Sequence, residues 1–99
     1  MLTLAEIIQD LHALESRLRA YERKYGITSA DFHDLFQQGL LDDEGFEQST
    51  EFARWASAYE LKLKREAAFE AASRRFVDNM KKAAEPSLRL VPNPALVQP

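Results

Sequence analysis

The sequence predicts an all-α protein, a hairpin of two long helices with a short helix between them. Apolar residues recur three and four positions apart over residues 4–25 and again over 49–82, which is the spacing of one helix face. The second stretch contains no Gly or Pro and is rich in strong helix formers. Gly26, Gly39 and Gly45 lie between the two stretches, as expected of helix ends and turns.

The first predicted helix runs from Leu4 to Tyr25. Thr3 and Glu6 form a capping-box pattern, in which each side chain satisfies a backbone amide of the other residue. Gly26 then suits the left-handed conformation that ends many helices. We interpret the apolar stripe of this helix as a core face of the hairpin, in preference to a homodimeric coiled coil, because it extends over only about three heptads. The stripe comprises Leu4, Ile7 or Ile8, Leu11, Leu14, Leu18, Tyr21 and Tyr25.

The second predicted helix covers about residues 30–38, with Thr28 or Ser29 as its N-cap. Two helical turns are not stable alone in water. We therefore expect Phe32 and Phe36 to dock on the first helix or near the tryptophan of the third.

An acidic connection, residues 40–48, leads into the third helix. We expect Leu40, Leu41 and Phe46 to hold this connection to the core. Its carboxylates do not fall at the alternating positions of a calcium-binding loop, so we predict no metal site there. They belong to Asp42, Asp43, Glu44 and Glu47.

The third predicted helix starts near Ser49 or Thr50 and continues to about Lys82, a length of roughly 50 Å. Trp55 is expected near the centre of the core. The first helix, about 33 Å long, is too short to cover the second half of this helix. The first half presents Phe52, Trp55, Ala56, Tyr59 and Leu63.

The uncovered half of the third helix carries a second apolar stripe surrounded by basic residues. An apolar patch with a charged rim usually marks an interaction site. We therefore predict a partner-binding surface here, with Phe69, Phe76 and Met80 beyond the reach of the first helix. The alternatives are a helix that breaks near residues 67–68 and folds back, and a solvated single helix. The candidate residues are Leu61, Arg65, Phe69, Arg74, Arg75, Phe76 and Met80.

The predicted domain organisation is a helical domain, residues 1–85, followed by a flexible Pro-rich tail, residues 86–99. Pro86 stops the helix, because the residue before a proline avoids the α conformation. The tail has too little apolar content to fold alone, so we expect it to be disordered.

Charge is distributed unevenly along the chain, whose net charge is −3. Residues 1–60 hold twelve acidic and five basic side chains, net −7, whereas residues 61–99 hold four acidic and eight basic ones, net +4. The two halves should attract each other or attract opposite partners.

The sequence gives no sign of an enzyme. It has no cysteine, and its two histidines, His12 and His33, have no neighbours spaced to form a metal site or a general-base pair. Phosphate-binding and hydrolase motifs are missing as well. We predict no catalytic, cofactor-binding or metal-binding residues. Without a signal-peptide pattern or a membrane-spanning run, the protein is expected to be soluble and cytoplasmic.

Four groups of residues stand out at fixed spacing: residues 21–29 (YERKYGITS), Phe32 with Phe36, Gly39 with residues 41–43 (LDD), and Phe52 with Trp55 and residues 59–60 (YE). With these groups, the chain resembles small helical antitoxin-like prokaryotic proteins that are encoded beside a putative toxin. The resemblance covers about residues 4–63, and its motif residues are mainly caps and core aromatics. The basic extension and the Pro-rich tail depart from the pattern.

The resemblance implies a member of a toxin–antitoxin system that acts through protein–protein interaction and has no catalytic residues. Our leading hypothesis is a protein-binding module, an antitoxin-type neutraliser of the adjacent toxin. The alternative is a structural homo-oligomer whose protruding helices pair. A nucleic-acid-associated regulator is the third, less favoured because Glu66, Glu70 and Asp78 interrupt the basic run.

Overall fold

A computed structural model describes residues 2–84 and 87–96 of the chain. Within these ranges it contains three helices and no β-strand: α1 (Leu4–Tyr25), α2 (Ser29–Gln37) and α3 (Phe46–Ala83). α1 and α3 pack against each other as an antiparallel hairpin, and α2 lies chiefly against α3. The predicted all-α fold, with its helical hairpin and long C-terminal helix, is confirmed.

The ends of α1 are those that the sequence predicts. Thr3 Oγ1 accepts a hydrogen bond from the Glu6 amide at 3.1 Å, and Glu6 Oε1 accepts one from the Thr3 amide at 3.0 Å. At the other end Gly26 has φ +75° and donates its N–H to the Glu22 carbonyl at 2.7 Å. Both ends of α1 are therefore set by local hydrogen bonds.

α2 begins one residue earlier than predicted, because Thr28 alone is its N-cap. Thr28 Oγ1 accepts from the Asp31 amide at 3.0 Å. Ser29 is the first helical residue, and its side chain is buried in the core instead of capping the helix.

The predicted start of α3 at Ser49 or Thr50 is wrong. The helix begins at Phe46, and the carbonyl of Gly45 accepts the first hydrogen bond, from the Ser49 amide at 3.0 Å. Ser and Thr are only preferred at N-caps, and here no backbone constraint stops the helix from extending to the glycine. Glu47 then falls in the first turn, where the helix dipole favours a negative charge.

Three side chains that were expected in the core are exposed. Phe46 is 85% exposed, and Leu40 and Leu63 also lie on the surface, whereas Leu41 packs against the core as predicted. Phe46 precedes Trp55 by nine residues. Nine residues are two and a half helical turns, so the two side chains lie on opposite sides of α3.

Trp55 is the centre of the core, as predicted, and is fully buried. Phe32 of α2 stacks on it with ring centroids 3.8 Å apart, while Tyr21 and Tyr25 of α1 stack on it at 5.4 and 5.5 Å. Phe36 stacks in turn on Phe32. Rings from α1 and α2 thus meet on one indole of α3, which confirms that the short helix docks through its phenylalanines.

A chain of hydrogen bonds joins the same three helices. Trp55 Nε1 donates to Ser29 Oγ at 2.9 Å, and Ser29 Oγ donates to Glu22 Oε2 at 2.8 Å. The Ser29 amide donates to the same oxygen at 2.9 Å, and Arg19 donates to Glu22 Oε1 at 2.9 Å. Partial burial would by itself raise the pKa of Glu22, but the hydrogen bonds from Ser29 and Arg19 outweigh it and hold that pKa below its ordinary value.

Ion pairs connect α1 and α3 at two levels of the hairpin. Lys24 Nζ lies 2.9 Å from Glu51 Oε2 near the loops, and the hydrogen bond that it donates lowers the pKa of Glu51. Arg65 Nε lies 3.1 Å from Asp10 Oδ2 further along. These pairs fix the register in which the two helices run past each other.

Replacing Trp55 tests whether the core depends on one side chain. Trp55→Ala should lower the free energy of unfolding by about 3–5 kcal/mol, which is a large part of the total for a small domain. Trp55→Phe, which keeps a ring but loses the N–H donor, should cost less. Thermal unfolding followed by circular dichroism measures both, and a midpoint for Trp55→Ala within a few degrees of wild type would contradict the central role of the indole.

Ser29→Ala tests the hydrogen-bonded chain through its dependence on pH. A carboxylate with a lowered pKa in the folded state stabilises the fold above its unfolded-state pKa, and that contribution is lost as the pH falls through the folded-state pKa. The variant should lose about 1–3 kcal/mol at neutral pH. The difference from wild type should narrow below the ordinary Glu pKa of 4.5 but should not vanish, because Trp55 Nε1 has lost its acceptor at every pH.

The matched control is Ser16→Ala, at an exposed serine of α1. It should change stability little at any pH. Parallel pH profiles for wild type and Ser29→Ala would show that Glu22 is not the group that responds.

Candidate interaction surface

The end of α3 extends past the start of α1. Arg65 is paired with Asp10, and Leu4, the first residue of α1, precedes Asp10 by six residues. In an antiparallel pair Leu4 therefore lies near position 71 of α3. Residues 73–83 project beyond α1 over about 17 Å, and we call this segment the overhang.

The overhang is shorter than the sequence predicted. Phe69 was expected beyond the reach of α1, but it lines a groove together with Ile8 and Leu11. The prediction was wrong because it took the length of α1 without the register. With Tyr25 packed on Phe52, the 22 residues of α1 reach as far as the Phe69 level of α3.

The seven candidate residues consequently fall into two groups. Leu61 lines a groove with Leu14 of α1, and Arg65 and Phe69 also lie beside that helix. The other four are on the overhang: Arg74, Arg75, Phe76 and Met80.

The overhang presents an apolar surface among positive charges. Phe76 is 56% exposed, Val77 is also exposed, and Met80 is partly buried. The surrounding basic side chains are exposed. They are Arg74, Arg75, Lys81 and Lys82. Such a surface can bind a partner that offers an apolar groove and carboxylates.

The tail returns from the overhang toward α1. Residues 87–93 have no regular secondary structure and are exposed, while Leu96 lines a groove with Ile8 and His12 of α1. The predicted boundary at Glu85 and Pro86 lies outside the described residues, as do residues 97–99. Flexibility of the tail stays a prediction.

The two histidines lie on different helices. His33 Nε2 lies 3.2 Å from Glu60 Oε2 and 3.3 Å from Gln37 Nε2, and His12 is exposed on α1. Across residues 2–84 and 87–96, no three His, Asp or Glu side chains are grouped to bind a metal. In those same ranges no helix is both long and apolar enough to cross a bilayer.

The residues that carry the antitoxin-like resemblance are used by the core. Tyr21 and Tyr25 stack on Trp55, Glu22 accepts from Ser29, and each of these positions belongs to the pattern. From the sequence these residues were expected to be caps and core aromatics. The hydrogen bonds that connect Trp55 through Ser29 to Glu22 were not predicted. The only sign of these hydrogen bonds in the sequence is a Ser and a Glu close to aromatic residues.

Comparisons of the chain with protein-family models, with curated proteins and with solved structures find no significant match. The antitoxin-like resemblance therefore stays a hypothesis.

Two matched substitutions test whether Phe69 packs beside α1 while Phe76 lies on the overhang. Phe69→Ser should lower the free energy of unfolding by about 1–2 kcal/mol, because its ring is partly buried against α1. Phe76→Ser should stay within about 0.5 kcal/mol of wild type, as is usual for exposed sites. Both replace Phe by Ser inside α3, so helix propensity cancels. Urea unfolding followed by Trp55 fluorescence gives both values, and equal losses would contradict the register described here.

Proposed function

We propose that this protein is a protein-binding module that acts in the cytoplasm as an antitoxin-type neutraliser of a toxin encoded beside it. The overhang is the observation that carries the proposal. It presents Phe76 and Val77 to solvent between arginines and lysines, on a segment that the core does not need.

The overhang is well suited to recognition because it is ordered before it binds. A free helix of three turns is unstable in water, but residues 73–83 continue a helix of 38 residues that is held at Trp55. A partner therefore does not have to order this segment, which lowers the entropic cost of association. An amphipathic helix that lays its apolar side into a groove is a common mode of protein recognition.

The charges of the overhang indicate the chemistry of the partner. Arg74, Arg75, Lys81 and Lys82 outnumber the single acid, Asp78. Arginine is enriched at protein interfaces. The complementary surface would be an apolar groove with an acidic rim. A nucleic-acid partner is less favoured, because Glu66, Glu70 and Asp78 lie along the same helix and would repel phosphates.

The resemblance supports the biological role. It concerns small helical proteins described as antitoxin-like, and in this chain the shared residues build the scaffold. The basic extension, where the chain departs from that pattern, would then set which toxin is bound.

Co-expression with the product of the neighbouring gene tests the proposal. That product should arrest growth when expressed alone, and the wild-type chain should restore growth. Phe76→Ser with Met80→Ser should abolish the rescue and weaken capture of the purified toxin at least tenfold, because truncated apolar anchors dominate interface energies.

Leu40→Ser is the matched control, since Leu40 is also exposed but lies in the acidic connection far from the overhang. It should rescue growth like wild type. Unchanged Trp55 fluorescence shows that each variant keeps its core. A neighbouring product that is harmless and unbound, or full rescue by the double variant, would contradict the proposed function.

A further inference from the structure

The two ends of α3 carry opposite charges that cannot meet within one molecule. Acidic residues 42–47 precede or open the helix, and basic residues 74–82 close it. α3 has 38 residues, so its ends are about 57 Å apart. In the described ranges, the four ion pairs of the structure involve neither segment. Charge compensation between the two ends therefore requires another molecule.

Three of the exposed apolar side chains of the same helix are evenly spaced. Phe46 precedes Leu61 by 15 residues, and Phe76 follows Leu61 by 15 residues. All three are exposed, with Phe46 at 85%, Leu61 at 37% and Phe76 at 56%. Spacing that is symmetric about one residue is what an isologous contact between two antiparallel copies requires.

The face of the hairpin beside Phe46 is open. Two adjoining grooves run between α1 and α3, and Thr50 and Arg54 border both. Tyr21 and Phe46 line the first, and Leu14 and Leu61 line the second. Together they form a continuous trough from the start of α3 to its middle.

We propose that a second copy of this chain fills the trough. The two α3 helices run antiparallel about a two-fold axis near Leu61, so residues 61–76 of each copy lie along the trough of the other, and the overhang begins at the Phe46 end of that trough. This pairing brings Phe76 of one copy to the groove lined by Tyr21 and Phe46 of its partner. Arg75 comes to the level of Glu47, so the basic end meets the acidic end twice in the dimer.

Charge complementarity selects this occupant over an unrelated protein. The trough starts beside the acidic segment, where Glu47 lines the first groove, and the segment that reaches this end is apolar and basic. The overhang has both properties, and a second copy is always present with the first. The proposal does not depend on the antitoxin role, but Phe76 would serve both contacts, so a toxin and a second copy would compete for the overhang.

Charge exchange tests the orientation of the dimer. Light scattering over a concentration series should give a dimer for the wild-type chain alone. Glu47→Arg and Arg75→Glu should each weaken the dimer about tenfold, because each places two like-charged pairs in the contact. The double variant, with both charges exchanged, should restore wild-type affinity. Circular dichroism checks that every variant keeps its helices.

Cross-linking tests the position of the axis, since the chain has no cysteine of its own. A residue at a two-fold axis faces its own copy, so Leu61→Cys should form a disulfide-linked dimer under mild oxidation. Glu70→Cys, two and a half turns further along α3 and on its other side, should not. The two cysteines are similarly exposed, which makes the second a matched control.

Three results would overturn the proposal: a monomer throughout the concentration series, equal cross-linking at positions 61 and 70, or failure of the charge-exchanged double variant to dimerise. Failure of the toxin experiment leaves these measurements unaffected, because they use the chain alone. The variant Glu47→Arg also distinguishes the dimer contact from the toxin contact, since it should weaken the dimer without reducing toxin capture.

Discussion

The fold depends on the requirement to bury one indole without leaving its N–H unpaired. Trp55 is fully buried, and an unpaired donor there would cost about 1–3 kcal/mol. Ser29 accepts that N–H, and Glu22 accepts from Ser29. The three residues come from three helices, so the hydrogen bonds specify a single way of joining them. The stacked ring of Phe32 adds apolar contact on the same indole and so stabilises the short helix α2.

Residues that form the core and residues that form the proposed interaction surface therefore lie in different parts of the chain. The aromatic and polar residues of the antitoxin-like pattern lie in the first two thirds of the hairpin, where they hold the helices together. What they support is a rigid α3 whose last three turns contribute little to the core. A helix that is anchored at one end and free at the other can carry an interaction surface whose side chains change without disturbing the fold.

The charged residues of α3 are also divided between its two ends. The acidic start of α3 lies beside the trough and the basic end lies on the overhang, and the rigidity of the helix keeps them apart. Within one molecule the separation leaves both surfaces without a counter-charge in the described ion pairs. In the proposed dimer, the same separation would favour an antiparallel arrangement of the two copies, because that arrangement brings unlike ends together at both sites. A toxin-like partner with an acidic rim would use the same basic end.

The sequence by itself determined what a few neighbouring residues decide. The capping box at Thr3 and the glycine at position 26 fix the ends of α1, since their hydrogen bonds are local, and the periodic spacing made Trp55 a core residue. Tertiary structure decided the rest. The burial of Ser29 depends on the docking of α2 at Trp55, and the exposure of Phe46 depends on where α3 begins relative to that tryptophan. The position of Phe69 beside α1 depends on the register between α1 and α3. That register is set by contacts between residues far apart in the chain, such as Tyr25 with Phe52 and Asp10 with Arg65, which no local pattern contains.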